Sequence, residues 1–448
     1  MSAVRTQEVY LSSVVPTVLE GTSLSPSDKA FARLLAQGAL STQTTLDTLI
    51  DRALRSPRDI KPDVRDALRL ASYEILYLHK EDHAAVDQGV ELVRFFAPRA
   101  TGVANYVLHR IVEERDAFPF GDPEESLEVA ALFYGFPEWL ARAIKKDIGT
   151  RNALCMMRES LEPAPVYFAV NARVTSQDII AHALEEAGIE YATIRPFMAP
   201  DPAVQGRADT VFQLVNRADV GQEAFSKLLR EGAIVVSDLS AQSIAERAVR
   251  TLPARDARVL EIGAGRGTKT LLLQSACARA GIELASYEVI DISKKKVSEL
   301  EQRVRAAGGM VSQTFVADAT KELPASAGQY DLVFVDAPCT GIGTLRRHPE
   351  IKARLAEGDS RMLAHIGQAM LSQAAACVRP GGSLMYATCT ILKEENEKTV
   401  KRFLASPAAS GFEAVPIGAK GSAYFKTPIE PHGADLHFAA LFERTGEF

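Results

Sequence analysis

Apolar residues recur at helical spacing through the first part of the chain. Between Val9 and Glu114, Leu46, Leu49 and Ile50 mark one buried face, and Leu68, Leu70, Ile75, Leu76 and Leu78 mark another within DALRLASYEILYLH. Polar breaks punctuate the pattern. LSPSDKA places Ser27 ahead of Asp28-Lys29 as a helix start. In DIKPDVRD, Pro62 suits a first helical turn and Lys61 before it is biased to extended geometry. The spacing predicts an all-α domain over residues 1–118. AFPFGDPEES, from Ala117 to Ser126, concentrates Pro, Gly and acidic residues and predicts a boundary.

The rhythm then changes. FPEWLARAIKKDIG, with Trp139, still reads as helix, but VYFAVNARV reads as a strand, SQDIIAHALEEAG as a capped helix ending at Gly188, and DTVFQLV as another strand. AFSKLLREG and AIVVSD add a helix and a closing strand, so residues 124–250 predict a connector carrying a small α+β domain of split β-α-β type. From residue 251 to 448 the short apolar runs ARVLEIGAG, ASYEVID, SQTFVAD, DLVFVDAP and SLMYATC alternate with helical or loop segments. That alternation predicts a doubly wound α/β sheet with its site at the carboxyl ends of the strands.

Length agrees with this division, since 448 residues correspond to about three domains at roughly 150 residues each. With 47% hydrophobic and 24% charged residues, disordered and fibrous classes are excluded. Lys+Arg number 51 against 57 Asp+Glu, a formal net charge of −6, so any nucleic-acid site must be a local patch. The five cysteines, Cys155, Cys277, Cys339, Cys377 and Cys389, form no C-x-x-C pair and suggest neither a metal site nor a disulfide framework. The opening MSAVRTQEVY lacks the basic-then-apolar pattern of a signal peptide, and no apolar run reaches about 18 residues. A cytoplasmic, metal-free protein off the membrane is expected, acting as a monomer.

The chemistry concentrates at the strand ends. VLEI runs into Gly263, Ala264, Gly265, Arg266 and Gly267, then Thr268-Lys269-Thr270, a turn in which glycines let a ligand approach the backbone. A glycine turn after a strand is sometimes only structural. The next strand ends in Asp291, about 20 to 30 residues on, where a carboxylate can bond both ribose hydroxyls of an adenosine-containing ligand. These two features do not separate NAD from S-adenosylmethionine.

The later strand ends do. Asp318 closes one strand, Asp336-Ala337-Pro338-Cys339 the next, and Tyr386-Ala387-Thr388-Cys389 a third. A lone buried cysteine is usually inert packing, and Cys155, Cys277 and Cys377, on helical patterns, are read so. Two cysteines at adjacent strand ends are another matter. Hydride transfer has no use for them, whereas methylation at pyrimidine C5 needs a thiolate to add at C6 and an acidic group near N3.

Three blocks carry a family resemblance: DAPCTGIGTLRRHPEIK from Asp336 to Lys352, RPGGSLMYATCTILKEENE from Arg379 to Glu397, and IVVSDLSAQ from Ile234 to Gln242. With them the chain resembles the bacterial ribosomal RNA small-subunit methyltransferase B family (RsmB, also called Sun or Fmu), within the Nop2/Sun group of RNA cytosine-5 methyltransferases. Ser27-Asp28-Lys29, ASYEILYL and Gly102-Val103-Ala104-Asn105-Tyr106-Val107-Leu108 are similar to the NusB-like RNA-binding domain of that family.

The resemblance implies a NusB-like all-α domain, an α+β connector and a Rossmann-like methyltransferase domain that uses S-adenosylmethionine on RNA, with small-subunit (16S) rRNA as partner. It implies Cys389 as the nucleophile on C6 and Cys339 as the group that assists release. Spacing alone leaves these roles open, because DNA cytosine-5 methyltransferases attack with the Pro-Cys thiol. Asp336 would hold cytosine near N3 and border the cofactor, Lys269 and the Gly263–Gly267 turn would line the cofactor site, Asp291 would bind ribose and Asp318 adenine. Two departures stand out: Arg266 and Thr268 replace a proline and a glycine of the family's usual loop, and Gly433-Ala434-Asp435-Leu436-His437-Phe438 replaces its usual Asp-Gly-Phe-Phe. The basic run Arg346, Arg347 and His348, with Lys352 and Arg354, follows the Pro-Cys loop and is expected to touch RNA phosphates. Two rival readings remain at this stage. A non-catalytic RNA-binding factor would show no S-adenosylmethionine binding, and a nicotinamide-dependent oxidoreductase would bind NADH.

Overall fold

Among the described residues every regular element before residue 160 is helical: α1 (Ser2–Thr6), α2 (Leu11–Leu19), α3 (Pro26–Ser41), α4 (Gln43–Ala53), α5 (Pro62–Leu76), α6 (Asp82–Phe96), α7 (Thr101–Glu114), α8 (Leu127–Phe133), α9 (Glu138–Ile148) and α10 (Thr150–Glu159). The computed structural model describes residues 1–7, 9–198, 211–325 and 328–445. These divide into two units, Met1–Pro163 with Thr344–Glu357, and Ala164–Gly343 with Gly358–Phe448. The division differs from boundaries drawn near residues 118 and 250, because residues 124–163 group with the helices before them and the α+β segment groups with the large sheet.

In the first unit α5 begins at Pro62 as expected. Helix α3 begins at Pro26, not after Ser27: Ser25 Oγ accepts from Asp28 N at 3.1 Å, and Pro26 fits the first turn. α5 packs against α3, α4, α6 and α7. Leu46, Leu49, Ile50, Leu68, Ile75, Val93, Val107 and Leu108 share one core there, each contributing about 1.5–3 kcal/mol by leaving water. Arg69, buried on α5, is satisfied by Asp47 through Nε at 2.8 Å and Nη2 at 2.7 Å, and by Asp66 through Nη1 at 2.8 Å. The Ala117–Ser126 segment is no free linker: the Phe118 ring stands 5.6 Å from both Tyr77 and Phe133.

The second unit opens with β1 (Tyr167–Val170), α11 (Gln177–Glu186), β2 (Tyr191–Ile194), β3 (Val211–Leu214), α12 (Glu223–Arg230) and β4 (Ile234–Val236). The strands form an antiparallel sheet in the order β2-β3-β1-β4. β2 is a strand the pattern did not predict, and Asp209 and Thr210 of the predicted DTVFQLV strand lie outside the described residues. Asn171, fully buried, ties this small sheet to the rest of the unit, its Nδ2 donating to Gly232 O and Ala307 O, both at 2.8 Å.

The chain continues through α13 (Leu239–Val249), β5 (Ala257–Ile262), α14 (Thr268–Arg279), β6 (Leu284–Asp291), α15 (Lys294–Ala306), β7 (Gln313–Val316) and β8 (Tyr330–Asp336). It lends α16 (Ile351–Arg354) to the first unit. It returns as α17 (Asp359–Cys377), β9 (Val378–Thr388), α18 (Glu397–Leu404), β10 (Phe412–Val415), β11 (Tyr424–Lys426) and β12 (Phe438–Arg444). The sheet runs β10-β12-β9-β8-β5-β6-β7, with β11 also paired to β12. β5 to β9 are mutually parallel and β12 is antiparallel to β9. Alternate residues of β8 serve opposite faces. Leu332 and Phe334 pack with α13 and α14, and Val333 and Val335 with α17, so the strand is apolar throughout. Strand order reverses at β5, whose neighbours are β6 and β8, and the crevice beyond their carboxyl ends is where such sheets bind ligands.

Candidate active site

β5 delivers the glycine turn to that crevice. Gly263, Gly265 and Gly267 all have positive φ, at 79°, 58° and 80°, and Gly267 caps α14 in the left-handed region. A Cβ on Gly263 would lie 2.3 Å from Asp336 O, so only glycine lets the β5 and β8 ends close on each other. A Cβ on Gly265 would meet nothing nearer than Gly263 O at 4.0 Å, which leaves the outer face of the turn open as a cradle. Asp291, buried at the end of β6, accepts from Gly265 N at 2.9 Å through Oδ2 and from Ser293 N at 2.8 Å through Oδ1. Its register partner on β7 is Val316, two residues before Asp318. Asp318 accepts from Thr320 N and Oγ1 at 3.0 and 2.7 Å, and these bonds lower its pKa.

On the other side of β5, Lys269 Nζ donates to Asp336 Oδ2 at 2.6 Å. Burial alone would lower the lysine's pKa, but the charge and hydrogen bond of Asp336 outweigh it and the net shift is upward. Asp336 is paired in register with Ala387 of β9, which carries Cys339 and Cys389 to neighbouring positions. Their Sγ atoms are 3.1 Å apart, and Cys389 N donates to Cys339 Sγ at 3.2 Å. The hydrogen bond with Cys389, then burial, push the Cys339 thiol well up, which keeps it a proton donor beside its neighbour. Cys277 and Cys377 are buried in the two cores on α14 and α17, as structural cysteines would be.

Three site residues escaped the sequence reading. Glu395, 1% exposed, accepts from Thr340 N at 2.6 Å through Oε2 and from Thr340 Oγ1 at 2.9 Å through Oε1, with Thr390 Oγ1 3.4 Å from Oε1. It thus bridges the residues that follow both cysteines. Asn396 Nδ2 donates to Thr390 O at 2.9 Å, and its Oδ1 accepts from Thr388 Oγ1 at 2.6 Å. Both belong to KEENE, six and seven residues after Cys389, which the sequence reading gave only as part of the block that carries the family resemblance. Glu261, fully buried under the glycine turn, accepts from Thr270 Oγ1 and Tyr287 OH, both at 2.6 Å. Burial pushes its carboxyl up to about 7. A lone acidic residue inside the apolar run VLEI was the signal for it, since an unneutralised buried carboxylate needs a reason.

The basic run is placed otherwise than expected. All five residues belong to the helical unit, where Arg354 Nη2 donates to Val4 O and Val9 O. Lys352 cannot reach a phosphate: it is 1% exposed, and its Nζ donates to Tyr134 O at 2.7 Å and Ser160 Oγ at 3.3 Å and lies 4.5 Å from the Phe136 ring centre. Arg346 is also buried, its carbonyl accepting from Gln37 Nε2 at 3.0 Å. His348 packs 4.3 Å from the Tyr10 ring, Arg347 and His348 keep partial exposure, and Arg354 is exposed. These side chains serve the packing of α16, whose Ile351 is buried, and of the turn before it.

The chain is similar to known proteins over nearly its whole length. The family of 16S rRNA methyltransferases RsmB/F matches residues 249–442, and the NusB family matches residues 2–113. The ribosomal RNA small subunit methyltransferase B of Xanthomonas campestris is 30% identical, over 94% of this chain and 89% of that protein. The enzyme of the same name from Klebsiella pneumoniae is 27% identical over 93% and 92%. The crystal structure of PH0851 shares the fold, with a TM-score of 0.78 over 98% of this chain and 96% of that one, at 22% identity. No helix among the described residues is long and apolar enough to cross a membrane. The glycine turn, the paired strand-end carboxylates and the similarity at both ends of the chain agree, and the chain belongs to the ribosomal RNA small subunit methyltransferase B family, an S-adenosylmethionine-dependent methyltransferase with a NusB domain.

Proposed function

We propose that the protein methylates C5 of cytosine in RNA, with small-subunit rRNA as the substrate, through a covalent bond between Cys389 and C6. The observation that carries this reading is the pair of thiols 3.1 Å apart beside the Lys269–Asp336 ion pair. The open cradle at Gly265 and the carboxylate of Asp291 fit S-adenosylmethionine, with Gly263, Ala264, Gly265 and Gly267 against its amino-acid end, Asp291 at the ribose and Asp318 at the adenine. When bound, that cofactor supplies an electrophilic methyl group.

The target base must leave its stack to reach the crevice. Cys389 adds as the thiolate to C6, forming the C–S bond and moving the ring's electron pair toward C5. Asp336 holds the N3 edge, and Lys269 behind it stabilises the charge as it changes. C5 gains the methyl group as the methyl–sulfonium bond of the cofactor breaks to leave a neutral thioether, and then loses its proton to solvent. The C6–S bond breaks, the ring is restored, and Cys389 leaves as thiolate, with the Cys339 thiol beside it as the proton donor that stabilises the departing sulfur. Of the basic run, Arg347 and His348, which keep partial exposure, are assigned to RNA contact.

Denaturing gels of the protein with RNA and cofactor, paired with bisulfite sequencing of the RNA, test the roles. Cys389→Ala should give neither methylation nor adduct, while Cys339→Ala should accumulate adduct. The reverse pattern would exchange the two thiols. Methylation without protection of any cytosine from bisulfite would refute the base assignment.

A further inference from the structure

The glycine turn has Arg266 and Thr268 where the family's usual loop has a proline and a glycine, so it lacks the ring that would fix φ there. Helix α15 holds the turn instead. A Cβ on Gly267 would come within 2.9 Å of Leu300 Cγ and 3.2 Å of Val304 Cγ2, two core residues of α15, so the helix lies directly against the turn. The start of α15 is tied to it as well. Asp291 accepts from Gly265 N and Ser293 N through its two oxygens, and Ser293 caps the helix, its Oγ accepting from Lys296 N at 3.4 Å.

Two polar side chains of α15, four residues apart and so on one helix face, reach the residues on either side of Gly267. Glu299 Oε2 lies 2.7 Å from Arg266 Nε. Arg303 Nη1 donates to Thr268 Oγ1 at 2.8 Å and to the Arg266 carbonyl at 3.4 Å. The two contacts are not equivalent. The ion pair joins side chains that are 54% and 38% exposed, and such pairs contribute little. Arg303 fastens the backbone itself, and one nitrogen spans the turn from Arg266 to the first residue of α14. We propose that Arg303 is a positioning residue for S-adenosylmethionine. It holds the turn in the arrangement that leaves Gly265 open, so that little ordering of the backbone is left to be done when the cofactor binds. The inference rests on the cofactor site at the glycine turn and is independent of which base is methylated.

The test is calorimetric titration of the full chain with S-adenosylmethionine in the absence of RNA. Arg303→Met, which keeps the side-chain stem and removes the donors, should raise Kd about tenfold, while kcat at saturating cofactor stays within about twofold of the wild type. In the cofactor-free protein, amide hydrogen exchange over residues 263–270 should quicken in the same variant. Thr268→Val should raise Kd about threefold, and it keeps the test valid if Arg303→Met fails to fold. Because both exchanges break the same contact, the double variant should bind no more weakly than Arg303→Met by itself. Glu299→Gln should stay within about twofold of the wild type. An unchanged Kd or unchanged exchange in Arg303→Met would overturn the proposal, as would a lower kcat at the wild-type Kd. So would additive losses in the double variant, or a loss in Glu299→Gln as large as that in Arg303→Met. If Kd shifts as expected but no cytosine is methylated, the cytosine reading fails and this one stands.

Discussion

Lys352 offers the most quantitative test of the structure. Its ammonium is buried in the helical unit, and burial pushes its pKa down from 10.5 to about 7. At about 1.36 kcal/mol for each tenfold change in proton affinity, that difference bounds the destabilisation by the charged form at about 5 kcal/mol. The carbonyl of Tyr134 at 2.7 Å and the face of Phe136 at 4.5 Å both favour the ammonium, so about 5 kcal/mol is an upper bound on the cost. The unfolded chain holds the Lys352 proton up to pH 10.5 and the folded chain only to about 7. The unfolded state therefore binds more protons across that window, and stability rises with pH through it. Below about pH 7 the full cost applies, and above the unfolded pKa it vanishes.

Lys352→Met removes the titration and keeps most of the volume. The single tryptophan, Trp139 on α9, reports unfolding of the same unit. Followed by its fluorescence in urea, Lys352→Met should be more stable than the wild type by up to about 5 kcal/mol near pH 6, with the advantage falling to less than half near pH 9. Equal pH dependence in the two proteins would refute the reasoning. RNA affinity supplies a second arm, because a lysine facing a phosphate would contribute about 0.7 to the salt slope on a single strand. The exchange to Met should leave that slope unchanged.

Glu395→Gln replaces one carboxylate oxygen with an N–H facing the donors of Thr340. Methyl transfer should fall by about tenfold or more as the cysteine loops lose their bridge, while cofactor affinity measured by calorimetry stays the same; an unchanged turnover number would count against the bridge. Gly263→Ala forces a side chain into positive φ and to 2.3 Å from Asp336 O. A loss of about 2–4 kcal/mol is expected, and a melting temperature equal to the wild type's would contradict it. Alkylation with iodoacetamide near pH 8 should label Cys389 first. The thiol of Cys339 is pushed well up by its hydrogen bond to Cys389, and burial raises Cys155, Cys377 to about 11 and Cys277 to about 12. Faster labelling of Cys339 by mass spectrometry would reverse the proposed roles.

The legible parts of the sequence are those where local signals are strong. β5, β6 and β8 carry dense apolar runs ending in glycine or aspartate, so both the strands and the crevice at their ends could be read directly. β2 could not: Tyr191–Ile194 is four residues long, and its central pair is exposed, so it shows no alternation. β12 was missed because FAALFER, apolar over five successive buried positions, looks the same as a buried helical turn until β9 pairs with it. Cys339 and Cys389 were found because each follows a distinctive tripeptide at a strand end. Glu395 was not, because its task is defined only by Thr340, 55 residues earlier in the chain.

The misplacement of Lys352 has a more general cause. Reading Arg346 to Lys352 as a substrate loop assumed that residues next to a catalytic motif in sequence stay next to it in space. Leu345 and Ile351, 3% and 7% exposed, were the contrary signal, because a solvated basic loop has no reason to place apolar residues at this spacing. The structure uses them to seat the segment in the helical unit, where Glu350 Oε1 accepts from Leu11 N at 2.8 Å and Arg354 Nη2 donates to Val4 O and Val9 O, both at 2.7 Å. Those groups are 339 to 350 residues apart in the chain, so the helical unit satisfies its own backbone only when chain from the middle of the methyltransferase sequence is present. The segment is joined at one end to Gly343, four residues after Cys339, and at the other to Gly358, which precedes α17. The chain therefore enters and leaves the helical unit between Gly343 and Gly358, and a boundary drawn at any single point along the sequence cuts one of the two units.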